Sequence, residues 1–497
     1  MSPTVVIAGG GPSGLMLATE LGLKGVHTIV IERLPEANGW SRSLTLQARS
    51  VEVLSQRGLD WFDEYPYIRS YNFGLLELTG IIDPSLVPLL VPQRHLERRL
   101  EDRALELGVD IRRGQEVIGF EQDADGVTVR VREGEQESEV RGDYLVGCDG
   151  GSSKVRKLAG IGFPGSASTI NGITGDVNTP EDFQQRLPPK LYNTGLFAVT
   201  PIGPGQHRVT VIEFGTELTS KNVPVTIDEF RGSIQRVAGI DPEILDIGEA
   251  HWLSRFGNPT RLAERYRDGR VLLAGDSAHI HLPVSGQGLN TGIQDAWNLG
   301  WKLAAVVRGE APDGLLDTYH SERHPIGERV CMNTRAQDSL MYPLERVAPL
   351  RELFGELLRL DEVNTYLTDM VTGIGIRYPM GKPADGAVHP LLGRRIGNIP
   401  LTPVKSGAGE ATEATTTWRT LHPGRGVLLN LSGGEAPDIK GWTDRVDTVS
   451  AEPAEELDAA VLLLRPDGHV AHVDHDGADR EGLQLALKTW FGDASDH

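Results

Sequence analysis

The stretch from Thr4 to Gly14 reads TVVIAGGGPSG, and it decides the fold. Its first five residues are β-branched or small and apolar, which predicts a short buried strand that the glycines end. Apolar residues then recur at helical spacing from Leu15 to Leu21, and His27–Glu32 has the pattern of a second strand. Strand, glycine turn, helix and strand within about 30 residues predict a βαβ unit with a right-handed crossover and a buried sheet.

The glycines in the order Gly9-x-Gly11-x-x-Gly14 predict a dinucleotide site at this turn. Gly9 permits the tight turn, Gly11 lets the backbone approach a pyrophosphate, and Gly14 lets the helix pack closely against the strand. The amides at the helix N-terminus favour a phosphate there. Glu32 lies 23 positions after Gly9, at the end of the second strand, where an acidic residue can accept hydrogen bonds from a ribose.

A second glycine pattern, Gly160–Gly165 (GIGFPG), is interpreted as a plain turn. It follows a predicted helix, and it contains a proline where a new helix would begin. The sequence therefore predicts one dinucleotide-binding fold, and a nicotinamide cofactor would lack a Rossmann domain of its own.

A further signal is Gly269–His279 (GRVLLAGDSAH), which continues into Pro283–Asn290 (PVSGQGLN). Asp276 ends a buried strand, where it can hold a ribityl hydroxyl. The turn with Gly286 and Gly288 opens a helix, whose amides and positive dipole suit the negative charge of a reduced flavin.

Asp149-Gly150 ends another buried strand, and Asp149 could contact the cofactor there. Just beyond it lie Ser152, Lys154 and Arg156, and the two cations could receive the phosphates of NADPH. The alternative for the two cations is a turn and a solvated helix start.

Charge and composition exclude several classes of function. The chain has 49 basic and 69 acidic residues, a net charge of −20, which argues against nucleic acids and anionic membranes as partners. No apolar run approaches the roughly 20 residues that cross a bilayer, so we expect a cytoplasmic protein. Two cysteines, Cys148 and Cys331, are too few for a disulfide framework, a cysteine-rich zinc site or an iron–sulfur cluster, and no metal site is predicted.

Changes in pattern along the chain predict its division. Short alternating strands such as His207–Phe214, between Pro- and Gly-rich turns, indicate an antiparallel sheet over residues 166–256. The buried strand Val271–Ala274 and a helix from about residue 288 return to the first unit. Past residue 385 the residue pattern of regular strands and helices is lost for a stretch. The rest of the chain then predicts a small α/β domain, with strands at Gly426–Leu431 and Ala460–Leu464 and a helix at Arg480–Phe491.

These motifs, in this order, resemble the FAD-dependent aromatic hydroxylases related to para-hydroxybenzoate hydroxylase, over residues 1–385. The segments Ser41–Ser43 (SRS), Gln47–Leu54 (QARSVEVL) and Val91–Gln93 (VPQ) resemble most closely the polyketide hydroxylases of antibiotic pathways and the rifampicin monooxygenases. Those enzymes also carry a C-terminal thioredoxin-like domain. The region of this chain from residue 388 fits such a domain. It contains no cysteine, which excludes redox-disulfide chemistry there.

The resemblance implies an α/β fold with a Rossmann-type FAD-binding domain, an antiparallel-sheet substrate domain and a thioredoxin-like C-terminal domain. The FAD-binding domain is expected in two parts, residues 1–165 and residues 257–387, of which the second also contains helices. The substrate domain is expected at residues 166–256 and the thioredoxin-like domain at residues 388–497. Pro283 should lie beside the isoalloxazine ring. The residues implied to contact FAD are Ser13, Glu32, Arg33, Arg42, Gln93, Val117, Asp276, Leu289 and Asn290.

The resemblance also implies the chemistry: reduction by NADPH or NADH, addition of O₂ to give a flavin hydroperoxide, and oxygen transfer to an electron-rich ring. Arg42 could stabilise a developing peroxide or an anionic substrate, or it could form a salt bridge within the FAD domain. His279 and His281 are interpreted as structural, and the sequence identifies no general base. Four aromatic residues could line a substrate pocket or belong to an ordinary core: Phe73, Phe214, Trp252 and Phe256.

Other functions on this scaffold stay open. Baeyer–Villiger oxygenation differs by no motif in the sequence, and the role could be biosynthetic or antibiotic-inactivating. A flavin-bound interaction protein without turnover would use the acidic C-terminal domain as its partner surface. A halogenase is excluded, because no tryptophan stands two residues from another. We expect a small-molecule aromatic substrate and a monomer or homodimer.

Overall fold

The run Thr4–Gly14 lies at the centre of a six-stranded sheet in the computed structural model, which describes residues 4–68, 71–78, 87–240, 245–381, 389–403, 414–455 and 457–495. The strand Thr4–Ala8 pairs in parallel with His27–Glu32, and the helix Pro12–Leu23 connects them, so the predicted βαβ unit is confirmed. The strands in order across the sheet are Arg267–Asp268, Val271–Leu273, Tyr144–Gly147, Thr4–Ala8, His27–Glu32 and Asp110–Arg113.

A three-stranded antiparallel sheet, Gln115–Gln122, Val127–Glu133 and Gln136–Gly142, follows the last of these strands. The sequence analysis did not predict Gln136–Gly142, because most of its side chains are exposed and it has little apolar alternation. The other elements of this region are the strands Thr45–Leu46, Tyr71–Phe73, Leu76–Leu78 and Leu89–Leu90, the helices Ala48–Ser55, Gln93–Glu106 and Lys154–Leu158, and the 3₁₀ turn Phe62–Glu64.

The middle of the chain forms a five-stranded antiparallel sheet. The helix Ile227–Ala238 and a cluster of buried apolar residues cover one face of it. Its strands, in order, are Lys190–Tyr192, Gly195–Gly203, Gln206–Glu213, Asn171–Asn178 and Ala250–Phe256, and the short helix Phe183–Arg186 lies beside them. The small sheet that joins this unit to the first one contains Gly165–Ser166, Thr260–Leu262 and His279–Ile280.

Long helices follow the return to the first sheet. The helix Gln287–Val307 is buried along most of its length, where it packs against the helix Pro12–Leu23 and the first of the later helices. The later helices are Asp317–Ser339, Leu344–Leu357 and Asp361–Thr372. Among the helices that the structure describes, none is long and apolar enough to cross a membrane.

The C-terminal region has a mixed sheet. Gly426–Asn430 pairs in parallel with Val446–Pro453 and antiparallel with Val461–Leu464, which in turn pairs antiparallel with Val470–Asp474. Further elements are the strands Pro400–Pro403 and Thr415–Thr416, the 3₁₀ turns Arg419–Leu421 and Lys440–Trp442, and the helix Arg480–Phe491, which lies where the sequence predicts it. The expected boundary at 387/388 lies outside the described residues.

A buried ionic network joins this C-terminal region to the long helices. Arg465 binds both oxygens of Glu322, at 2.6 and 2.9 Å, and also pairs with Asp467. Lys302 lies 2.7 Å from the same Glu322 carboxylate. All four side chains are nearly inaccessible to solvent. Although burial opposes ionisation, Arg465 and Lys302 lower the pKa of Glu322 to about 2.

Removing the negative charge of Glu322 should destabilise the protein strongly. Glu322→Gln leaves Lys302 without its partner carboxylate, and breaking a buried pair costs about 3–5 kcal/mol in the free energy of unfolding. Because the folded-state pKa of Glu322 is lowered, its contribution should be complete above about pH 5 and be lost as the pH falls toward that pKa. Urea unfolding followed by circular dichroism at several pH values measures both effects.

The matched control is Glu106→Gln, which removes the exposed carboxylate that pairs with Arg103. Exposed pairs contribute about 0–1 kcal/mol, so the urea midpoint should hardly change. Equal losses in the two variants would contradict the importance of the buried network.

Candidate active site

The glycine turn after the first strand leaves its backbone open at one position. A Cβ on Gly9 would lie 2.4 Å from the carbonyl oxygen of Cys148, and one on Gly14 would lie 2.0 Å from that of Gly9, so neighbouring backbone excludes side chains at both positions. A Cβ on Gly11 would meet no protein atom within 4 Å, and its φ of −81° suits any residue type. Gly11 therefore borders open space where the helix Pro12–Leu23 begins, which fits a bound pyrophosphate.

Glu32 holds this turn against the end of the second strand. Its Oε2 accepts a hydrogen bond from the amide of Gly10 (2.7 Å), and its Oε1 accepts one from the amide of Leu34 (2.8 Å). The predicted ribose acceptor therefore also has a structural role, since each carboxylate oxygen can accept a further hydrogen bond. Arg33 is exposed beside it.

Asp276 lies in a turn that touches the start of the first helix. A Cβ on Gly275 would lie 2.5 Å from the Oγ of Ser13, so the two turns are in contact. The Asp276 side chain is exposed, although both of its neighbours in the turn are buried. Its depth in the protein raises the pKa of Asp276, and neighbouring charges, including that of Arg42, lower it by less. Asp276 therefore lies deep in the protein but is accessible from a cleft. Its carboxylate can accept a hydrogen bond from a hydroxyl group of a bound cofactor.

Ser285 has a strained backbone in the turn before the helix Gln287–Val307. Its φ is +57°, in the left-handed region that residues with a Cβ seldom adopt. Two contacts hold the turn: Ser285 Oγ donates to the carbonyl of Asn72 (3.0 Å), and Gln47 Nε2 donates to the carbonyl of Ser285 (2.8 Å). Pro283 is exposed at the start of the turn. Strain that surrounding contacts maintain is typical of ligand sites.

The first turn of the long helix contains the other residues predicted there. Asn290 is fully buried; its Oδ1 accepts from an amide (2.8 Å) and its Nδ2 donates to a carbonyl (3.0 Å) of the segment Thr45–Gln47, and Nδ2 also donates to Gly286 (2.7 Å). These contacts occupy the Asn290 side chain, so only its backbone can face a cofactor. Gly286, Gly288 and Leu289 are partly exposed.

The turns at Asp276 and Gly288 border the same space. A Cβ on Gly288 would lie 3.9 Å from Oδ1 of Asp276. Together with the contact between Ser13 and Gly275, this proximity brings three turns from distant parts of the chain to one cleft.

Arg42 lies in an exposed position near this cleft, with its guanidinium 5.5 Å from the centre of the Trp40 ring. Among the described residues Arg42 forms no ion pair, so these residues give no support to the alternative of a salt bridge within the FAD domain. Gln93 lies close by and accepts a hydrogen bond from the amide of Ser43 at Oε1 (3.2 Å). Val117 is buried in its strand.

The two cations after Asp149 differ in their exposure. Asp149 accepts hydrogen bonds from the amides of Lys154 (2.7 Å) and Val155 (3.1 Å). Arg156 is buried and donates to the carbonyl of Ser277 (2.7 Å), while Lys154 lies 2.6 Å from Glu116. The burial of Arg156 contradicts its predicted role, whereas Lys154 keeps 40% of its side chain exposed beside Glu116.

The contacts of His279 near the cleft support its interpretation as a structural residue. His279 Nε2 lies 2.8 Å from the buried carboxylate of Asp295, which also accepts from the amide of Gly275. Burial lowers the pKa of His281 to about 4, so its imidazole is neutral at ordinary pH. The sequence analysis missed Asp295; the signal was the single carboxylate in the helix Gln287–Val307.

The four candidate aromatic residues fall into three places. Phe214 and Phe256 pack in an apolar cluster with Leu282, beside the turn that contains Pro283. Phe73 is buried in a different cluster and stacks on Phe354, so its prediction as a pocket residue was wrong and the ordinary-core alternative is correct. Trp252 stacks on Trp40, with ring centres 4.9 Å apart.

One face of the five-stranded sheet carries hydroxyl groups that the sequence analysis did not identify. Ala198, Thr210, Thr174 and Ser254 lie opposite one another in register across four strands. The Oγ1 atoms of Thr174 and Thr210 are 2.7 Å apart. The signal in the sequence was the alternation along each strand, because every second residue of a strand points to the same face of a sheet. The residues between the hydroxyl-bearing ones include buried apolar residues of the core.

Comparison with known proteins relates this site to a family. Residues 2–334 match a family described as an FAD binding domain, and residues 389–494 match the C-terminal domain of aromatic-ring hydroxylases. The 12-dehydrotetracycline 5-monooxygenase/anhydrotetracycline 6-monooxygenase of Streptomyces rimosus subsp. rimosus is 44% identical over 98% of each chain. The rifampicin monooxygenase of Streptomyces venezuelae is 43% identical over 99% of each chain. The solved structure of the anhydrotetracycline hydroxylase OxyS from Streptomyces rimosus is 43% identical, covers 100% of each chain and superposes with a TM-score of 0.89.

A valine at position 11 tests where the phosphates of the cofactor bind. Because Gly11 has an ordinary φ and open space around it, Gly11→Val should fold normally. Its branched side chain should fill the space that a pyrophosphate needs, so the purified protein should lack flavin. The visible absorbance of flavin relative to protein, with far-ultraviolet circular dichroism as the check on folding, measures the result.

The matched control is Gly397→Val, since a Cβ there also meets no protein atom within 4 Å. Gly397 lies in the C-terminal region, so this variant should keep the flavin content of the unchanged protein. Full flavin content in Gly11→Val would refute the placement.

Proposed function

Because the chain belongs to the family of FAD-dependent aromatic-ring hydroxylases, we propose that it hydroxylates an aromatic polyketide or a related antibiotic-type substrate with NADPH or NADH and O₂. The observation that carries this proposal is the convergence of the turns at Gly11, Asp276 and Gly288 on one cleft. When bound there, FAD supplies the activation of O₂ and carries the electrons of the nicotinamide cofactor.

In this proposal the chain holds FAD by groups of complementary chemistry. The amides at the start of the helix Pro12–Leu23 bind the pyrophosphate beside Gly11. Asp276 accepts a hydrogen bond from a ribityl hydroxyl. The N-terminal end of the helix Gln287–Val307 directs its positive dipole at the ring edge that becomes negative on reduction, and Pro283 lies beside that ring. The other proposed contacts are Gly9, Ser13, Gly14, Glu32, Arg33, Arg42, Gln93, Val117, Asp149, Gly286, Gly288, Leu289 and Asn290.

The substrate would bind on the open face of the five-stranded sheet. The hydroxyl row of Thr174, Thr210 and Ser254 can bind the oxygen atoms of a polyketide. The next row in register is apolar, with Ile212 opposite Gly172 and Gly172 opposite Phe256. A floor that is polar along one row and apolar along the next suits a flat, oxygenated ring system.

Apolar residues would keep water from the reacting atoms. Leu282 and Met341 are buried in one cluster with Phe214, and Val284 packs against it. An apolar wall on this side of the cleft fits the need to exclude water, which would otherwise promote the release of peroxide in place of oxygen transfer.

The finer division of the fold is part of the same proposal. Parallel strands with a glycine turn support a Rossmann-type domain in 1–165 and 257–387, with the substrate domain in 166–256. For 388–497, a six-stranded sheet with one parallel and four antiparallel pairs, followed by the helix Arg480–Phe491, supports a thioredoxin-like domain.

Two variations of the reaction remain as alternatives on this scaffold. The similarity to a rifampicin monooxygenase supports an antibiotic-inactivating role beside a biosynthetic one. Baeyer–Villiger oxygenation would use the same cleft with a ketone as substrate. A flavin-bound interaction protein without turnover gains no support, since the relatives named above are monooxygenases.

Isotope labelling tests the proposed reaction. The holoprotein is incubated with NADPH, ¹⁸O₂ and anthraquinone, angucycline or ansamycin candidates, and the products are analysed by mass spectrometry and NMR. We expect one labelled oxygen as a ring hydroxyl. A labelled ring ester would favour the Baeyer–Villiger alternative, and unlabelled products would refute a monooxygenase.

The affinity for FAD should depend on pH through Asp276. Because the depth of Asp276 in the cleft raises its pKa, its carboxylate becomes protonated at a higher pH than an ordinary aspartate. A hydrogen bond to a charged group contributes about 1.5–3 kcal/mol, so FAD affinity should fall by about tenfold or more as the pH falls through this pKa. Fluorescence titration of FAD between about pH 8 and about pH 5 measures the change.

Two variants make this prediction specific. Asp276→Asn should bind FAD more weakly at neutral pH and lose most of the pH dependence. Asp317→Asn, which changes an exposed carboxyl at the start of the helix Asp317–Ser339, should behave like the unchanged protein. An unaltered pH profile in Asp276→Asn would show that another group titrates.

A further inference from the structure

The segment Trp40–Ser43, which carries Arg42, is held on one side by the start of the helix Gln93–Glu106. The amide of Gln93 donates to the carbonyl of Ser43 (3.0 Å), and the amide of Arg94 donates to Oγ of Ser41 (3.1 Å). These contacts fix the segment to the first unit of the fold.

The opposite side of the segment is held by the five-stranded sheet. Arg208, in the strand Gln206–Glu213, donates from Nη2 to the carbonyl of Ser41 (2.6 Å) and from Nη1 to the carbonyl of Arg42 (2.9 Å). Arg208 is buried, with only 7% of its surface exposed. A buried guanidinium that donates two hydrogen bonds to one loop constrains the position of that loop.

Two further side chains orient Arg208. Asp176 accepts from Nε (2.5 Å) and from Nη2 (2.9 Å), which gives a bidentate pair. The indole N–H of Trp252 donates to the same carboxylate (2.6 Å), and its ring stacks on Trp40. Asp176 and Trp252 lie opposite each other in register, immediately beside the row that contains Thr174 and Ser254.

We propose that Arg208, Asp176 and Trp252 form a clamp that positions Arg42 at the flavin cleft. The Arg42 side chain is exposed and, among the described residues, makes no ion pair, so its position depends on its backbone and on its contact with the Trp40 ring. The clamp holds that backbone, and Trp252 stacks on Trp40. Asp176 and Trp252 lie on the sheet beside the row of Thr174 and Ser254, where the substrate is proposed to bind. The clamp therefore connects the proposed substrate face of the sheet to the cofactor cleft. The role of Arg42 in this inference rests on the proposed function.

The sheet also provides a matched control. Arg255 pairs with Glu229 (2.6 Å) and donates to the carbonyls of Val223 (3.0 Å) and Pro224 (3.4 Å). Its side chain is 6% exposed, against 8% for Arg208. Arg255 thus has the same arrangement of one carboxylate and two backbone carbonyls, but it holds a different loop.

Hydrogen exchange and FAD titration of the holoprotein test the clamp. In Arg208→Met, the amides of residues 38–47 should exchange faster, and FAD should bind about tenfold more weakly, because a small displacement of a binding group has a large effect. In Arg255→Met, exchange should rise only in residues 218–226, and FAD affinity should be unchanged. Trp252→Phe keeps an aromatic ring and removes the indole N–H, so it should give a smaller effect of the same kind as Arg208→Met.

A double variant separates positioning from general stability. If Arg208 acts through Arg42, adding Arg208→Met to Arg42→Ala should weaken FAD binding no further than Arg42→Ala alone. Multiplied losses, or slow exchange retained at residues 38–47 in Arg208→Met, would overturn the clamp. If Arg208→Met does not fold, the same comparison is made with Trp252→Phe. A failure of the proposed reaction would appear separately, as missing hydroxylated product in the unchanged protein.

Discussion

A single buried carboxylate, Asp295, holds together the elements on which the cleft depends. It accepts hydrogen bonds from the amide of Gly275 and from Arg323, and it pairs with His279. Burial opposes its ionisation, but the charge of Arg323 and the hydrogen bond from His279 lower the pKa of Asp295. The long helix, the turn before Asp276 and the helix Asp317–Ser339 therefore keep fixed positions relative to one another.

The same long helix carries a second polar contact further along. Asn298 and Lys302 both bind Glu322, and Trp301 donates to Asp467 in the C-terminal region. Polar groups inside a buried helix are costly unless each one has a partner, and here the partners come from separate parts of the chain. The helix thus determines how the turns at Asp276 and Gly288 are placed relative to the C-terminal sheet. Its N-terminal end faces the cleft.

The sequence was sufficient for features that lie within short stretches. The glycine turn, the strand before Asp276 and the turn at Ser285–Gly288 follow from local spacing, because a strand end and a helix start are set by neighbouring residues. The clamp was not predictable, since Arg208 and Arg42 are 166 positions apart and only tertiary packing joins them. Phe73 was misassigned for the same reason: an aromatic side chain has the same local pattern in a core and in a pocket.

The pair of Glu322 and Arg465 joins residues 143 positions apart, and this distance bears on how the protein matures. During translation the long helices leave the ribosome well before Arg465 and Asp467 are synthesised. Until then Trp297 and Trp301 lack the acceptors that their indole N–H groups bind in the finished protein. The helix Gln287–Val307 therefore gains its full set of polar contacts only when the C-terminal strands are present.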